Sequence, residues 1–214
     1  MARTITRDEE QISTKTGRLD FSPAPDSSDI HPGTVTVTIH TGPDSPSTGL
    51  HWHEAHTEHL RIVQGCALVT VGDHTATFTK DDGVITIPRL VLHEVRRADN
   101  VEQGRAWKDT DLVMREWTEP ADGDKAVFFR NIMSLIKDEK KTLLGMISTG
   151  LSIVVVARAH DNYPVIWKGP AVLGKGFQQT VRRYLTFSVM AVVGFVGCLV
   201  GCRSEYEEYT PRRT

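Results

Sequence analysis

The chain has 214 residues, 25 of them Lys or Arg and 27 Asp or Glu, for a formal net charge of −2, and it carries three cysteines. That length buries a full core without a disulfide scaffold, and scattered basic residues in near balance with acidic ones leave no electrostatic footprint for a nucleic-acid backbone. Three cysteines at irregular spacing, with Cys198 and Cys202 inside an apolar run, indicate neither a disulfide framework nor a Cys-rich zinc site and fit a reducing compartment.

The N-terminal MARTITRDEEQ is charged from the start and lacks the apolar stretch of a secretory signal, so a cytoplasmic protein is expected. Residues 1–33 are polar, with a Pro/Ser/Asp cluster at FSPAPDSSDIHPG, and read as an extended arm outside the core. From Thr34 the pattern changes to short β-rich runs divided by turn residues: TVTVTIH, LHWH, EHLRIVQG, ALVTVGD, HTATFTK, GVITIP and HEVRRA. Such spacing predicts an all-β barrel or sandwich of antiparallel neighbours. The glycine-bearing connections VQGC and VGDH predict hairpins. DNVEQGRAWKDTD (99–111) reads as a loop and LVMREW (112–117) as the last strand.

Beyond Pro120 the periodicity becomes helical. In DKAVFFRNIMSLIKDEKK the apolar Val127, Phe128, Ile132 and Leu135 recur at near-helical intervals ahead of a basic end. The apolar run 143–157 is open between a buried helix, a strand and a short membrane segment, and residues 176–202 read as one long helix. Its stretch 184–202 has no charge and, as a helix, would be about 28 Å long, close to the roughly 30 Å hydrocarbon core of a bilayer. Gly197 and Gly201 form a small-xxx-small pair, with Arg182 and Arg183 just before the run. A membrane tail that leaves the barrel on the cytoplasmic side, and packing of both apolar runs on the barrel or on a second copy in a homodimer, are equal alternatives.

Chemistry concentrates in HWHEAHTEH, residues 51–59. In a strand, side chains two apart share a face, so His51 and His53 point inward together while Trp52 points away. A bend through EAHT returns the chain as EHLRIVQG, with Glu58 sharing the inward direction of Leu60 and Ile62. Two imidazoles and a carboxylate form a ligand set for a divalent transition metal with open positions, iron(II) among them. His56 and Glu54 in the bend, and His59 with outward parity, read as solvated residues, as do His40 and His74 at strand ends. Arg61 and Trp52 read as packing or dimer-interface residues, and Glu116 and Trp117 as core and rim.

His51, His53, Glu58 and Gly65 also match the spacing of the first motif of the cupin family, and Pro88 and His93 match the second. The chain therefore resembles a cupin over residues 34–118. The second motif's usual glycines fall on Asp82 and Leu90 and its trailing asparagine on Arg97, which puts the local loop shape in question.

The resemblance implies a mainly β, cupin-type antiparallel β-barrel (jelly roll) followed by an α-helical C-terminal extension over 119–214. It also implies that His51, His53, Glu58 and His93 hold one divalent metal, iron(II) first and manganese or another divalent ion second. REWTEPADGDKAVFFRN further resembles fungal cupin-domain oxidoreductases of secondary-metabolite clusters. The expected activity is oxidation or oxygenation of a small organic, polyketide-derived aromatic substrate, with Arg97 as a candidate for holding an anionic or phenolic group. A metal-assisted isomerase, cyclase or dehydratase, and a non-enzymatic membrane-tethered binding protein, are the alternatives.

Overall fold

Strand periodicity is plainest in the segment Thr57–Gln64, where Glu58, Leu60 and Ile62 are buried and their neighbours face outward. In the computed structural model, which describes residues 3–22, 31–167, 169 and 174–212, runs of this kind form eleven strands. They are β1 (Gln11–Ser13), β2 (Gly17–Asp20), β3 (Val35–Ile39), β4 (His51–Trp52), β5 (Thr57–Gln64) and β6 (Ala67–Val71). Then follow β7 (His74–Phe78), β8 (Val84–Ile87), β9 (His93–Arg97), β10 (Leu112–Glu119) and the late β11 (Tyr163–Pro164). The described residues also form three α-helices: α1 (Asp124–Lys137), α2 (Leu143–Ala159) and α3 (Lys175–Leu199).

The strands form two antiparallel sheets, in the orders β1-β2-β3-β10-β5-β8 and β11-β4-β9-β6-β7. Their inner faces share one core, in which Val35, Leu60 and Met114 of the first sheet meet Ala67, Val69 and Val95 of the second. This is the expected cupin-type jelly roll with a helical C-terminal extension. Among the described residues the two sheets are not joined by strand pairing, so the barrel is a flattened sandwich.

Gly65, the motif glycine at the end of β5, shows why that position needs glycine. Its φ is +83°, and a Cβ there would lie 2.7 Å from the Asp111 carbonyl oxygen. VQGC is nevertheless not a hairpin, because β5 and β6 lie in different sheets and Gly65 turns the chain from one to the other. VGDH does join a hairpin, β6–β7.

The N-terminal arm is corrected in part. Residues 11–20 form a hairpin that adds β1 and β2 to the first sheet, with Ile12 and Leu19 buried and β2 paired to β3. Strands this short have too few alternate positions to register as a period of two. Gly17 lets the hairpin approach closely, since a Cβ would sit 2.5 Å from the Thr38 carbonyl oxygen. Part of the Pro/Ser/Asp cluster, residues 23–30, lies outside the described residues.

Helix α1 has two working faces. Ala126, Phe129 and Met133 pack on the barrel core, and Phe128, Ile132 and Leu135 meet Val156, Tyr206 and Tyr209. The run 143–157 is helical and is capped by Thr142, whose side chain accepts the Gly145 N–H at 3.1 Å. Within α3, Gly176–Leu199 is long and apolar enough to cross a membrane, and 22% of its most apolar window is buried. In the structure it lies against α2, with Gly197 facing Val155, and both ends are tied to the same globule. Arg183 pairs with Glu54 at 2.6 Å near one end. Past the other end, the Glu208 carbonyl accepts the Thr6 and Arg7 N–H groups at 2.9 and 3.0 Å.

Leu90, which stands where the second motif usually has glycine, adopts φ +69°. A left-handed leucine costs roughly 1–2 kcal/mol, and glycine's extra freedom in the unfolded chain returns roughly 0.5–1 of that. Leu90→Gly is therefore expected to stabilise the fold by about 0.5 kcal/mol, read as a raised urea midpoint at unchanged slope.

Candidate metal centre

Antiparallel register places His51 of β4 directly opposite His93 of β9, with ring centroids 4.1 Å apart. His53, one residue past β4, brings its ring to 5.2 Å from each of them. Glu58 points inward from β5, with Oε2 at 2.9 Å from His53 Nε2 and Oε1 at 3.7 Å from His93 Nε2. One ligand atom from each of the four lies within 4.8 Å of the other three, and all four residues are buried.

The imidazoles are held in one tautomer by the backbone. Nδ1 of His51 donates to the Gly49 carbonyl at 2.7 Å, that of His53 to Asp161 at 2.6 Å, and that of His93 to Val91 at 3.0 Å. With Nδ1 donating to a carbonyl, Nε2 is in each case the nitrogen turned toward the centre for a metal, and at His53 it faces Glu58 Oε2 at 2.9 Å, a contact that a bound cation would replace. His93 Nε2 is buried without a hydrogen-bond partner, a cost that a bound cation would remove. Donor type, convergence and this orphaned nitrogen all fit a divalent transition metal.

Charge and burial around the centre favour an ionised Glu58 and a neutral His51. Burial, reinforced by His93 and His53, holds His51 well below the usual imidazole range. Burial opposes ionisation of Glu58, but the Lys125 charge and the adjacent imidazoles outweigh it and hold the carboxyl well below its usual range. The Lys125 ammonium contacts Glu58 and lies 3.1 Å from Glu116 Oε2. Burial, with the Glu58 charge, pushes Glu116 up despite that lysine.

Two of the four candidate ligands, His51 and Glu58, line a cavity of about 270 Å³ between the N-terminal hairpin, β3 and α1. Leu19, Val37, Ile39, Phe129, Ile132 and Met133 supply apolar walls, and His51, Glu58, Glu116, Lys125 and Asn162 line the same space. The hairpin that reads from sequence as an arm is thus part of the wall.

Several other residues lie elsewhere than the sequence reading has them. Arg97 is buried and does not line the cavity. Its Nη2 donates to the carbonyls of Trp107 and Lys108 at 3.3 and 2.7 Å, and its Nε faces Asp99 at 3.6 Å, so it closes the 99–111 loop. His56 is buried rather than solvated, between Asp161 and Asp122. Burial alone would lower its pKa, but hydrogen bonds to those two carboxylates raise it. Glu54 is half-buried and accepts the Trp52 indole N–H at 2.7 Å as well as pairing with Arg183. Trp52 points away from the centre, as its parity predicts, onto Tyr163 and Phe187. His59 stacks on Trp117.

Lys125, Glu116 and Asp161 were not legible as site residues. Lys125 carries one faint signal, because a lysine in the first turn of a helix opposes the helix dipole and calls for a partner. Asp161 lies more than 100 positions from the bend it organises, which local spacing cannot reveal.

No family model matches the chain. It is 24% identical over 176 residues to a protein of Hypocrea virens described as probable oxidoreductase virH, covering 80% of this chain and 70% of that one. Among solved structures it is similar to oxalate decarboxylase of Lactobacillus farciminis in its formate complex, with 23% identity and a TM-score of 0.35 over 50% of this chain and 29% of that one. It is also similar to KdgF of a Halomonas species, with 16% identity and a TM-score of 0.35 over 49% of this chain and 82% of that one. The chain spans under a third of the decarboxylase, and none of these likenesses assigns it a reaction.

Proposed function

We propose that this chain is a cupin-type metal-dependent oxidoreductase that uses iron(II), with manganese as second choice, on a small aromatic intermediate of polyketide origin in secondary metabolism. The observation that carries the reading is the convergence of His51, His53, Glu58 and His93, with His51 and Glu58 lining an apolar cavity. A cavity of about 270 Å³ suits a small ring system, and the description of the Hypocrea virens relative as an oxidoreductase supports the same class.

Bound iron would supply redox chemistry and a Lewis acid. The apolar wall excludes water and seats the ring. Lys125 Nζ faces the same space and can hold a substrate oxygen, with the Glu116 carboxyl beside it.

In elemental analysis of the full chain, His51→Ala and His93→Ala are each expected to weaken iron binding more than roughly 100-fold, beyond the 10–100-fold typical of outer-shell partners. Cells carrying either variant are expected to lose the product that wild-type cells make. Wild-type iron content and product in both variants would reject the reading. The raised pKa of Glu116 favours a second reading, metal-assisted isomerisation, cyclisation or dehydration with Glu116 as the acid. Product formed at full rate under strict anaerobiosis without another oxidant would select that one.

A further inference from the structure

Beside the centre lies a second group of donors. His56 Nε2 is 2.9 Å from Asp122 Oδ2, and donor atoms of His56, Asp122 and Asp124 all lie within 4.8 Å of one another. An acidic cluster alone would carry little, but His160 adds an independent observation. Its side chain is 3% exposed, and neither ring nitrogen has a hydrogen-bond partner. Its Nδ1 is 3.5 Å from Asp124 Oδ1, and its Nε2 is 4.0 Å from Glu205 Oε1. His160, His56 and Asp124 together line a small cavity of about 10 Å³, room for one water-sized sphere.

We infer that His56, Asp122, Asp124 and His160 form a second binding site for a divalent transition cation of the zinc type, separate from the one at His51, His53, Glu58 and His93.

The ring of His56 is prepared as metal-bound imidazoles are. Its Nδ1 faces Asp161 Oδ2 at 2.7 Å, so a carboxylate orients the ring and turns Nε2 toward the cluster. Asp122 Oδ1 accepts the Asp124 N–H at 3.1 Å, leaving Oδ2 toward His56. Bonds of roughly 2.0–2.2 Å from nitrogen and oxygen to zinc place tetrahedral donors about 3.3–3.6 Å apart, against 2.9 Å for His56 and Asp122, 3.5 Å for His160 and Asp124, and at most 4.8 Å across His56, Asp122 and Asp124. Two imidazoles among four donors favour a first-row transition ion over calcium or magnesium. Lys125 also lines the small cavity, but its charge is already matched by Glu58 and Glu116. Asp161 serves both sites, its backbone carbonyl holding His53 and its carboxylate holding His56.

The test is zinc titration of the chelator-stripped full chain by calorimetry, with elemental analysis after desalting. Wild type is expected to take two equivalents, His93→Ala one, Asp124→Asn and His160→Gln one each, and the His93→Ala/Asp124→Asn double variant none. Asp124→Asn and His160→Gln that both keep the wild-type equivalents, while His93→Ala abolishes binding, would overturn the inference. The reverse pattern, binding insensitive to His93→Ala and lost in Asp124→Asn, would uphold it and reject the metal reading of the first centre. Wild type that takes no zinc overturns the inference. Should either variant fail to fold, Asp122→Asn at a half-exposed side chain gives the same reading.

Discussion

Lys125→Met is expected to cost the metal-free protein about 3–5 kcal/mol of folding stability, because removing one partner of a buried ion pair strands the other. Two carboxylates depend on this lysine. Its Nζ contacts Glu58, lies 3.1 Å from Glu116, and belongs to a side chain 7% exposed beside two carboxylates that are 3% exposed each. Methionine keeps most of the volume, so the loss would report charge rather than a cavity. Two variants separate these causes in urea unfolding. Lys125→Met/Glu116→Gln is expected to recover roughly half the loss, since only one buried carboxylate then lacks its cation. Added divalent metal is expected to raise the stability of Lys125→Met more than that of wild type, because a dication beside Glu58 replaces the missing charge. A loss below about 1 kcal/mol, the range of exposed pairs, would mean that Lys125 turns to solvent and the two carboxylates are screened.

The same cluster marks where sequence reading stops. His51, His53, Glu58 and His93 were legible because strand parity and motif spacing are local rules, and the structure brings their donor atoms together. The partners of those residues follow no local rule. Lys125 comes from the first turn of α1 and Asp161 from the turn after α2, so each depends on how the helical extension docks. β11, only two residues long, pairs with β4 and delivers Asp161 to the bend, and no periodicity can be read in a dipeptide. His56 and Glu54 look solvated from sequence because polar bends usually are. Here Asp122, Asp161 and Arg183 arrive from the extension and cover them. Arg97 has the right parity for the cavity but stands four residues beyond His93, and the 99–111 loop takes its guanidinium. The hairpin of β1 and β2 is too short to show a strand period, although it supplies Leu19 to the cavity wall.

Asp161→Ala is expected to lower both stability and metal affinity, through separate contacts. The Asp161 carboxylate accepts the N–H groups of Glu54 and Ala55 at 2.8 Å each and that of His56 at 3.1 Å, and it also meets His56 Nδ1. Charged acceptors are worth roughly 1.5–3 kcal/mol each when strong, but several of these donors can turn to water, so a total loss of about 3 kcal/mol is expected. Its backbone carbonyl fixes the His53 tautomer, and its φ of +54° suits aspartate and asparagine better than alanine. Alanine would therefore let the carbonyl shift, weakening metal binding roughly 10–100-fold, the usual effect of losing an outer partner. Asp161→Asn keeps one side-chain acceptor and the left-handed backbone, so it should retain most of the affinity while losing part of the stability. Chelator competition and urea unfolding on the three proteins measure the two effects separately. If Asp161→Ala lost stability but bound metal as wild type does, the residue would be a clamp for the bend alone, and His53 would owe its orientation to Glu58.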